Sequence, residues 1–108
     1  MSRKRRVVVE SPFASLPDPI GYLARCMADC FSRGEAPFAS HGLYTHKGCL
    51  NDAEPAERKL GMEAGFCWGE LADYVVVYED WGISNGMQAG IDNYLKYGKQ
   101  IVFRSIGK

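Results

Sequence analysis

The polar and aromatic residues that follow three apolar runs are the part of this chain that could bind or transform a ligand. Aromatic rings can stack on a flat base, hydroxyl and amide groups can bond it, and two adjacent carboxylates can hold ribose hydroxyls or act as acid and base. This combination suits a nucleoside or a nucleotide. The candidates are Ser11 and Phe13 after the first run, His41 and Tyr44 after the second, and Glu79, Asp80, Trp81, Ser84, Asn85 and Gly86 after the third.

A site for an anion is predicted where the third apolar run, at 74–78, leads into the helical pattern that begins at Asn85. The first N–H groups of a helix lack intrahelical partners and carry a partial positive charge, so they attract phosphate. Ligands of open α/β sheets also collect outside the carboxyl ends of the strands. Ser84 suits the N-cap position and could also contact a phosphate, because the two roles are compatible.

Most of these candidates also have an ordinary structural interpretation. His41 could bond backbone groups in its own loop, while Tyr44 and Trp81 could cover an edge of the core. Glu79 and Asp80 could be solvated acids at the end of a strand. Both interpretations stay open at the level of the sequence.

Apolar runs and helical patterns alternate along the chain, and this order predicts the fold. Asp18 followed by Pro19 marks a helix start, and Gly34 and Gly98 mark helix ends. The alternation favours an α/β protein with a parallel sheet and helices on both faces. One domain should span 1–108, with a basic tail at 1–5. Strands are expected at 6–11, 37–40, 73–78 and 100–105, and helices at 19–34, 55–71 and 85–97.

Composition and motifs exclude several classes of protein. The formal net charge is zero, so no general field attracts nucleic acid. The basic run at 3–6 could touch phosphates but is more typical of a solvated lead-in to the first strand. Because no apolar run could span a bilayer and no signal-peptide pattern occurs, we expect a cytoplasmic protein without a membrane or specific nucleic-acid partner. Gly-x-Gly-x-x-Gly, phosphate-loop lysine and Gly-x-Ser-x-Gly motifs do not occur.

The four cysteines predict neither a disulfide framework nor a standard metal site. No pair has Cys-x-x-Cys spacing. Cys26 and Cys30 lie four apart on a predicted helix and could share a metal with His41 or His46. Buried free cysteines that act as small apolar residues are more common. We therefore expect no metal and no cofactor.

Three glycines at a spacing of four, Gly61, Gly65 and Gly69, lie within the predicted helix at 55–71. Each costs about 1 kcal/mol relative to alanine, so something should approach that face of the helix closely. Charged residues on the same helix exclude a membrane Gly-x-x-x-Gly contact. Tight packing against another element is favoured over the approach of a ligand.

Four segments of the chain together resemble an uncharacterised family that is common in bacteriophage and actinobacterial genomes. That family is similar to the nucleoside 2-deoxyribosyltransferases, and its wider group includes 2'-deoxynucleoside 5'-phosphate N-hydrolases and SLOG and TIR-like nucleotide-sensing domains. The resemblance covers about residues 6–105. It is carried by SPF at 11–13, ASHGLYT at 39–45, EPAERKLGM at 54–62 and GISNGM at 82–87, the last followed by Gly90 and Ile91.

The resemblance implies a flavodoxin-like (Rossmannoid) sheet of four to five strands, with a pocket at the strand carboxyl ends that a homodimer partner usually completes. It also implies that Ser84 and Gly86 hold a phosphate. The related enzymes carry a nucleophilic glutamate four residues after that glycine, where this chain has Gly90. Their second acid would fall near Gly65 and is also missing, with Glu63 half a turn away.

The two missing acids favour a protein that binds a nucleotide or a nucleotide derivative without cleaving it, with Gly90 opening space in the pocket. The alternative is an active N-glycosidase or deoxyribosyltransferase with a relocated carboxylate, for which Glu79 and Asp80 are the catalytic candidates and Asp92 or Glu63 further possibilities. A third interpretation is a structural protein with a vestigial pocket.

Overall fold

A computed structural model describes residues 3–108, so the first two residues of the predicted tail lie outside the described part. Its four strands form one parallel sheet in the order β2-β1-β3-β4. This order confirms the predicted α/β fold and is consistent with a flavodoxin-like sheet. The elements are β1 (Arg6–Glu10), α1 (Pro19–Ser32), β2 (Ala36–Phe38), α2 (Ser40–Leu43), α3 (Pro55–Gly69), β3 (Tyr74–Tyr78), α4 (Asn85–Lys96) and β4 (Ile101–Arg104).

The central strands β1 and β3 are buried on both faces, and each face packs against different helices. Because side chains of a strand alternate between faces, Val7 and Val9 pack with residues of α1, whereas Val8 packs with residues of α4. The same alternation sends Val76 towards α1 and Val77 towards α4. The sheet therefore separates an α1 face from a face covered by α3 and α4.

Local capping fixes where α1 and α4 begin and end. The Asp18 carboxylate accepts a hydrogen bond of 3.0 Å from the backbone N–H three residues on, and Pro19 occupies the first turn. The Ser84 hydroxyl accepts the equivalent bond at 3.2 Å, which confirms its predicted N-cap role. Gly34 and Gly98 follow the two helices in the left-handed region, with φ of 76° and 75°.

Two local expectations need correction. The polar and aromatic residues 41–50 predict a long loop after a strand at 37–40, but β2 ends at Phe38 and the short helix α2 begins at Ser40. In α1, the helical spacing of Ile20, Leu23, Met27 and Phe31 predicts one apolar face, but only Leu23 of these is fully buried, and Ile20 and Phe31 are 59% and 61% exposed. Cys26 and Cys30 complete the buried face. The apolar spacing misled because two small cysteines, rather than the larger side chains, fit against the valines of the sheet.

Residues 3–108 contain neither a cluster of metal-ligating side chains nor a helix that could span a membrane. No three His, Cys, Asp or Glu side chains come together there as a metal site. No helix in that part of the chain is long and apolar enough to cross a bilayer. Cys26 and Cys30 are free and buried, and Cys49 and Cys67 are free and exposed.

The glycine stripe of α3 allows neighbouring elements to pack closely. A Cβ atom at Gly65 would lie 2.5 Å from the Ser40 hydroxyl of α2. At Gly69 it would overlap the ring of Tyr94, which belongs to α4 and is 2% exposed. At Gly61 the nearest atom is a methyl carbon of Leu50 at 3.3 Å. The stripe therefore serves packing, and two of its three positions require glycine.

Gly69→Ala should lower the free energy of unfolding by about 1–3 kcal/mol, because the added methyl group displaces the buried ring of Tyr94. Gly61→Ala is the matched control on the same helix. It should leave stability unchanged or raise it by up to about 1 kcal/mol through helix propensity. Urea unfolding of both variants tests the prediction, and equal effects at the two positions would contradict it.

Candidate functional site

A cavity of about 300 Å³ opens at the carboxyl ends of β1 and β3, between α2, α3 and the first turns of α4. Its volume is at the lower end of the range of small-molecule sites. A wider depression of about 1060 Å³ continues past Phe13 and Arg58 along the loop that precedes α3. Seven of the predicted site residues line the smaller cavity: Ser11, Phe13, His41, Ser84, Asn85, Gly86 and Gly90.

The other four predicted residues lie elsewhere. Tyr44 lines a small adjoining pocket of about 50 Å³. Trp81 is 38% exposed beneath the ammonium group of Lys108, which lies 4.9 Å from its ring centroid. Glu79 is exposed at the end of β3, and Asp80 points away from the cavity.

Asp80 is part of the framework of the α1 face. Its carboxylate accepts a hydrogen bond of 2.6 Å from the Tyr22 hydroxyl and one of 2.9 Å from the Ile106 backbone N–H. Burial opposes its ionisation, but these hydrogen bonds outweigh burial and lower the pKa of Asp80. The placement follows from strand alternation, because Tyr78 already faces α1 and Asp80 lies two residues further along.

One end of the cavity suits an anion. The N-terminus of α4 opens into it, with Ser84 at the N-cap and Gly86 in the first turn. A guanidinium nitrogen of Arg58 lies 2.8 Å from the point where a Cβ atom of Gly86 would be. The guanidinium group of Arg58 forms no hydrogen bond or ion pair with residues 3–108. An uncompensated cation and a helix N-terminus therefore face the same space.

His41 and Phe13 together form an uncharged aromatic wall of the cavity. The Nε2 atom of His41 is 2.9 Å from the buried Ser11 hydroxyl, so the ring bonds this side chain. Phe13 meets the imidazole edge-on, with 5.7 Å between ring centroids. Burial lowers the pKa of His41 to about 4, and the nearby Asp52 offsets only part of this effect. The imidazole is therefore uncharged at neutral pH.

Glu10 lies at the opposite end of the cavity, over Gly90. Its Oε1 and Oε2 atoms are 2.8 Å and 3.2 Å from the point where a Cβ atom of Gly90 would be. A side chain at position 90 would therefore displace the Glu10 carboxyl group from this place. The position at which the resemblance implies a glutamate is thus a glycine whose space is filled by a glutamate from β1.

The Glu10 carboxyl group has no hydrogen-bond or salt-bridge partner among the described side chains and backbone groups. Glu35, the buried acid near the α1 face, differs sharply, because Arg104 binds it through two contacts of 2.7 Å. That pairing lowers the pKa of Glu35, whereas burial raises the pKa of Glu10 to about 8. Glu10 is therefore mostly protonated at neutral pH.

Sequence reasoning missed Glu10 and Arg58. Strand alternation could have found Glu10, because it must share the face of Val8, which packs with α4. Arg58 lies one turn before Met62 on α3, and both line the cavity. No local signal points to Arg58, since its position depends on how α3 packs against α4. Gly65 lies near the position where the resemblance implies a second acid, and it packs against Ser40.

This chain belongs to the family described as a domain of unknown function (DUF7768), which matches residues 5–104. No curated protein and no solved structure matches the chain. The comparisons therefore identify the family without assigning an activity.

Glu10→Gln should raise the free energy of unfolding at alkaline pH, because the fold penalises the ionised carboxyl group. The folded pKa of about 8 exceeds the ordinary 4.5, so the native state holds more protons than the unfolded state between these values. Wild-type stability should therefore fall as pH rises through this window. The free energy of unfolding of the variant should equal that of wild type at pH 4 and exceed it by on the order of 2 kcal/mol at pH 9. One pKa unit corresponds to about 1.4 kcal/mol, and water in the open cavity hydrates the ionised Glu10 in part, which lowers the expected gain.

Urea unfolding at the two pH values measures this gain. The control is Glu79→Gln at an exposed acid directly after β3, which should gain nothing at either pH. A Glu10→Gln gain of the same size at pH 4 and pH 9 would show that packing, not ionisation, is responsible.

Proposed function

We propose that this protein binds a phosphorylated nucleoside or a closely related nucleotide derivative in the cavity between β1, β3 and α4. The observation that carries the proposal is the position of Arg58 at the N-terminus of α4, where the backbone N–H groups and an unpaired guanidinium face one space. A phosphate group satisfies both, since guanidinium and backbone N–H groups form charge-assisted hydrogen bonds with its oxygens.

The rest of the cavity suits a sugar and a base. Gly86 and Gly90 are one helical turn apart, on the order of 6 Å along α4, so a sugar could extend from the anion end to Glu10. The rings of Phe13 and His41 offer an uncharged wall for a base. The resemblance to nucleoside 2-deoxyribosyltransferases supports the same class of ligand. The homodimer that it implies stays a prediction.

Ser84→Asp should weaken binding of deoxynucleoside 5'-monophosphates at least tenfold, because a carboxylate at the N-cap repels the phosphate. Aspartate caps helices as well as serine does, so the fold should persist. Ser84→Asn is the matched control, since asparagine also caps the helix but carries no charge. Isothermal titration calorimetry of wild type and both variants with dAMP, dCMP, dGMP and dTMP measures the effect.

The phosphate-free nucleosides provide the second comparison and should bind wild type more weakly than the monophosphates. Equal affinity of the Ser84→Asp and Ser84→Asn variants for the tightest-binding monophosphate would show that the phosphate does not bind at the N-terminus of α4. Absence of heat and of thermal stabilisation with all four monophosphates would reject the proposed function.

Cleavage of the N-glycosidic bond is a second candidate function, favoured by the position of Glu10 over Gly90. An ionised Glu10 would form a bond to the anomeric carbon while the bond to the base breaks and its electron pair leaves with the base. The base takes a proton from solvent, and water then hydrolyses the glycosyl ester. Glu10 replaces Glu79 and Asp80 in this role, since those two acids lie outside the cavity.

If cleavage occurs, incubation with the four monophosphates should release free base at a rate that rises with pH through about 8, as Glu10 ionises. Glu10→Gln should then reduce the rate at least a hundredfold, while Glu79→Gln should not change it. Chromatography of the reaction mixture detects the base. Monophosphate binding without release of free base would reject cleavage and support binding as the function.

A further inference from the structure

Glu10 is a carboxyl group that the fold holds in the cavity without giving it a partner. It ends β1 on the face of the sheet that α4 covers, and its oxygens lie against the backbone of Gly90. Among residues 3–108, no cation or hydrogen-bond donor contacts it within bonding distance. A half-buried carboxyl group that reaches the cavity without a protein partner is complementary to a polar ligand atom.

The groups around Glu10 come from every element that borders the cavity. Tyr94 of α4 lies near Glu10. Burial raises the pKa of the Tyr94 hydroxyl, and the charge of Glu10 adds to this effect. His41 of α2 is uncharged at neutral pH, and Asp52 lies in the loop before α3. Arg58 of α3 lies at the far end, beside Gly86. No neighbour therefore stabilises an ionised Glu10, and burial raises its pKa to about 8.

A bound anionic ligand should favour the protonated form of Glu10 over the ionised form. A phosphate bound at the N-terminus of α4 would lie about one helical turn from Glu10, on the order of 6 Å. A second negative charge at that distance in a partly desolvated cavity would repel it. A protonated carboxyl group has no such cost and can donate its O–H to an acceptor atom.

We propose that Glu10 binds the ligand in its protonated form, donating a hydrogen bond to an acceptor atom of the sugar or base, so that ligand binding is coupled to proton uptake. This inference rests on the proposed nucleotide-binding function. It adds a requirement on the ligand: a hydrogen-bond acceptor about one helical turn from its phosphate. It also makes Glu10 a determinant of specificity that works oppositely to a nucleophile, which must be ionised.

The proposal predicts how affinity depends on pH. If the complex keeps Glu10 protonated, affinity should fall about tenfold for each pH unit above the pKa of the free protein. Between pH 7 and pH 9 the ligand phosphate is already dianionic, since its second pKa is about 6. The low pKa of His41 and the raised pKa of Tyr94 keep these groups from titrating in that window.

Isothermal titration calorimetry with the tightest-binding of the four monophosphates tests this between pH 7 and pH 9. In two buffers of different ionisation enthalpy, wild type should take up close to one proton at pH 9. Its affinity should drop about fivefold from pH 8 to pH 9, because about half of Glu10 is already ionised at pH 8. Glu10→Gln imitates the neutral acid, so its affinity should change less than twofold over the range. Inorganic phosphate repels an ionised Glu10 but offers it no sugar or base acceptor, so it should take up fewer protons at pH 9 than the monophosphate does.

A nuclear magnetic resonance titration of the Glu10 side-chain carboxyl carbon in wild type is independent of any variant. Its midpoint should lie above pH 7 in the free protein and rise further with the nucleotide bound. Affinity that is flat or rises with pH, or a midpoint that falls on binding, would overturn the proposal and leave the nucleotide site intact. Absence of binding at every pH would overturn both.

Discussion

The parallel pairing of β1 with β3 is the constraint on which the site depends. Val8 pairs with Val75 and Glu10 with Val77, so the two most buried strands end side by side. In a parallel sheet this alignment brings the segments after both strands to one edge. The carboxyl group from β1 and the helix N-terminus after β3 then share a cavity, although they lie about 75 residues apart in the chain.

The two faces of the sheet treat polar groups differently. Near the α1 face, Glu35 is bound by Arg104, and Asp80 is bound by Tyr22 and backbone N–H groups. Such pairs contribute little net stability but are costly to break, so they fix the position of β4 and the chain end. On the α4 face, Glu10 stays unpaired. The fold thus pairs these structural acids and leaves the half-buried Glu10 without a protein partner where a cavity opens.

The strands and helix caps could be predicted because their signals are local. Asp18 and Ser84 cap helices through contacts three residues away, and the valine runs form strands wherever they pair. The site could be predicted only in part. Its position directly after the third apolar run makes Asp80 a candidate site residue, but alternation along β3 places its side chain on the α1 face. Arg58 could not be found, since its contact with Gly86 exists only after α3 and α4 pack.

Glycine at position 90 changes the chemistry of the cavity rather than merely removing a group. A glutamate on α4 would be held by a rigid helix, whereas Glu10 approaches from the end of β1 and needs the space that Gly90 leaves. Glu10 thus lies where no cation within residues 3–108 contacts it, because Arg58 is one turn away at Gly86. A carboxyl group in that position resists ionisation, and a group that resists ionisation is a better hydrogen-bond donor than nucleophile at neutral pH. The charge distribution of the cavity is therefore better suited to the proposed binding of a phosphorylated ligand than to its cleavage.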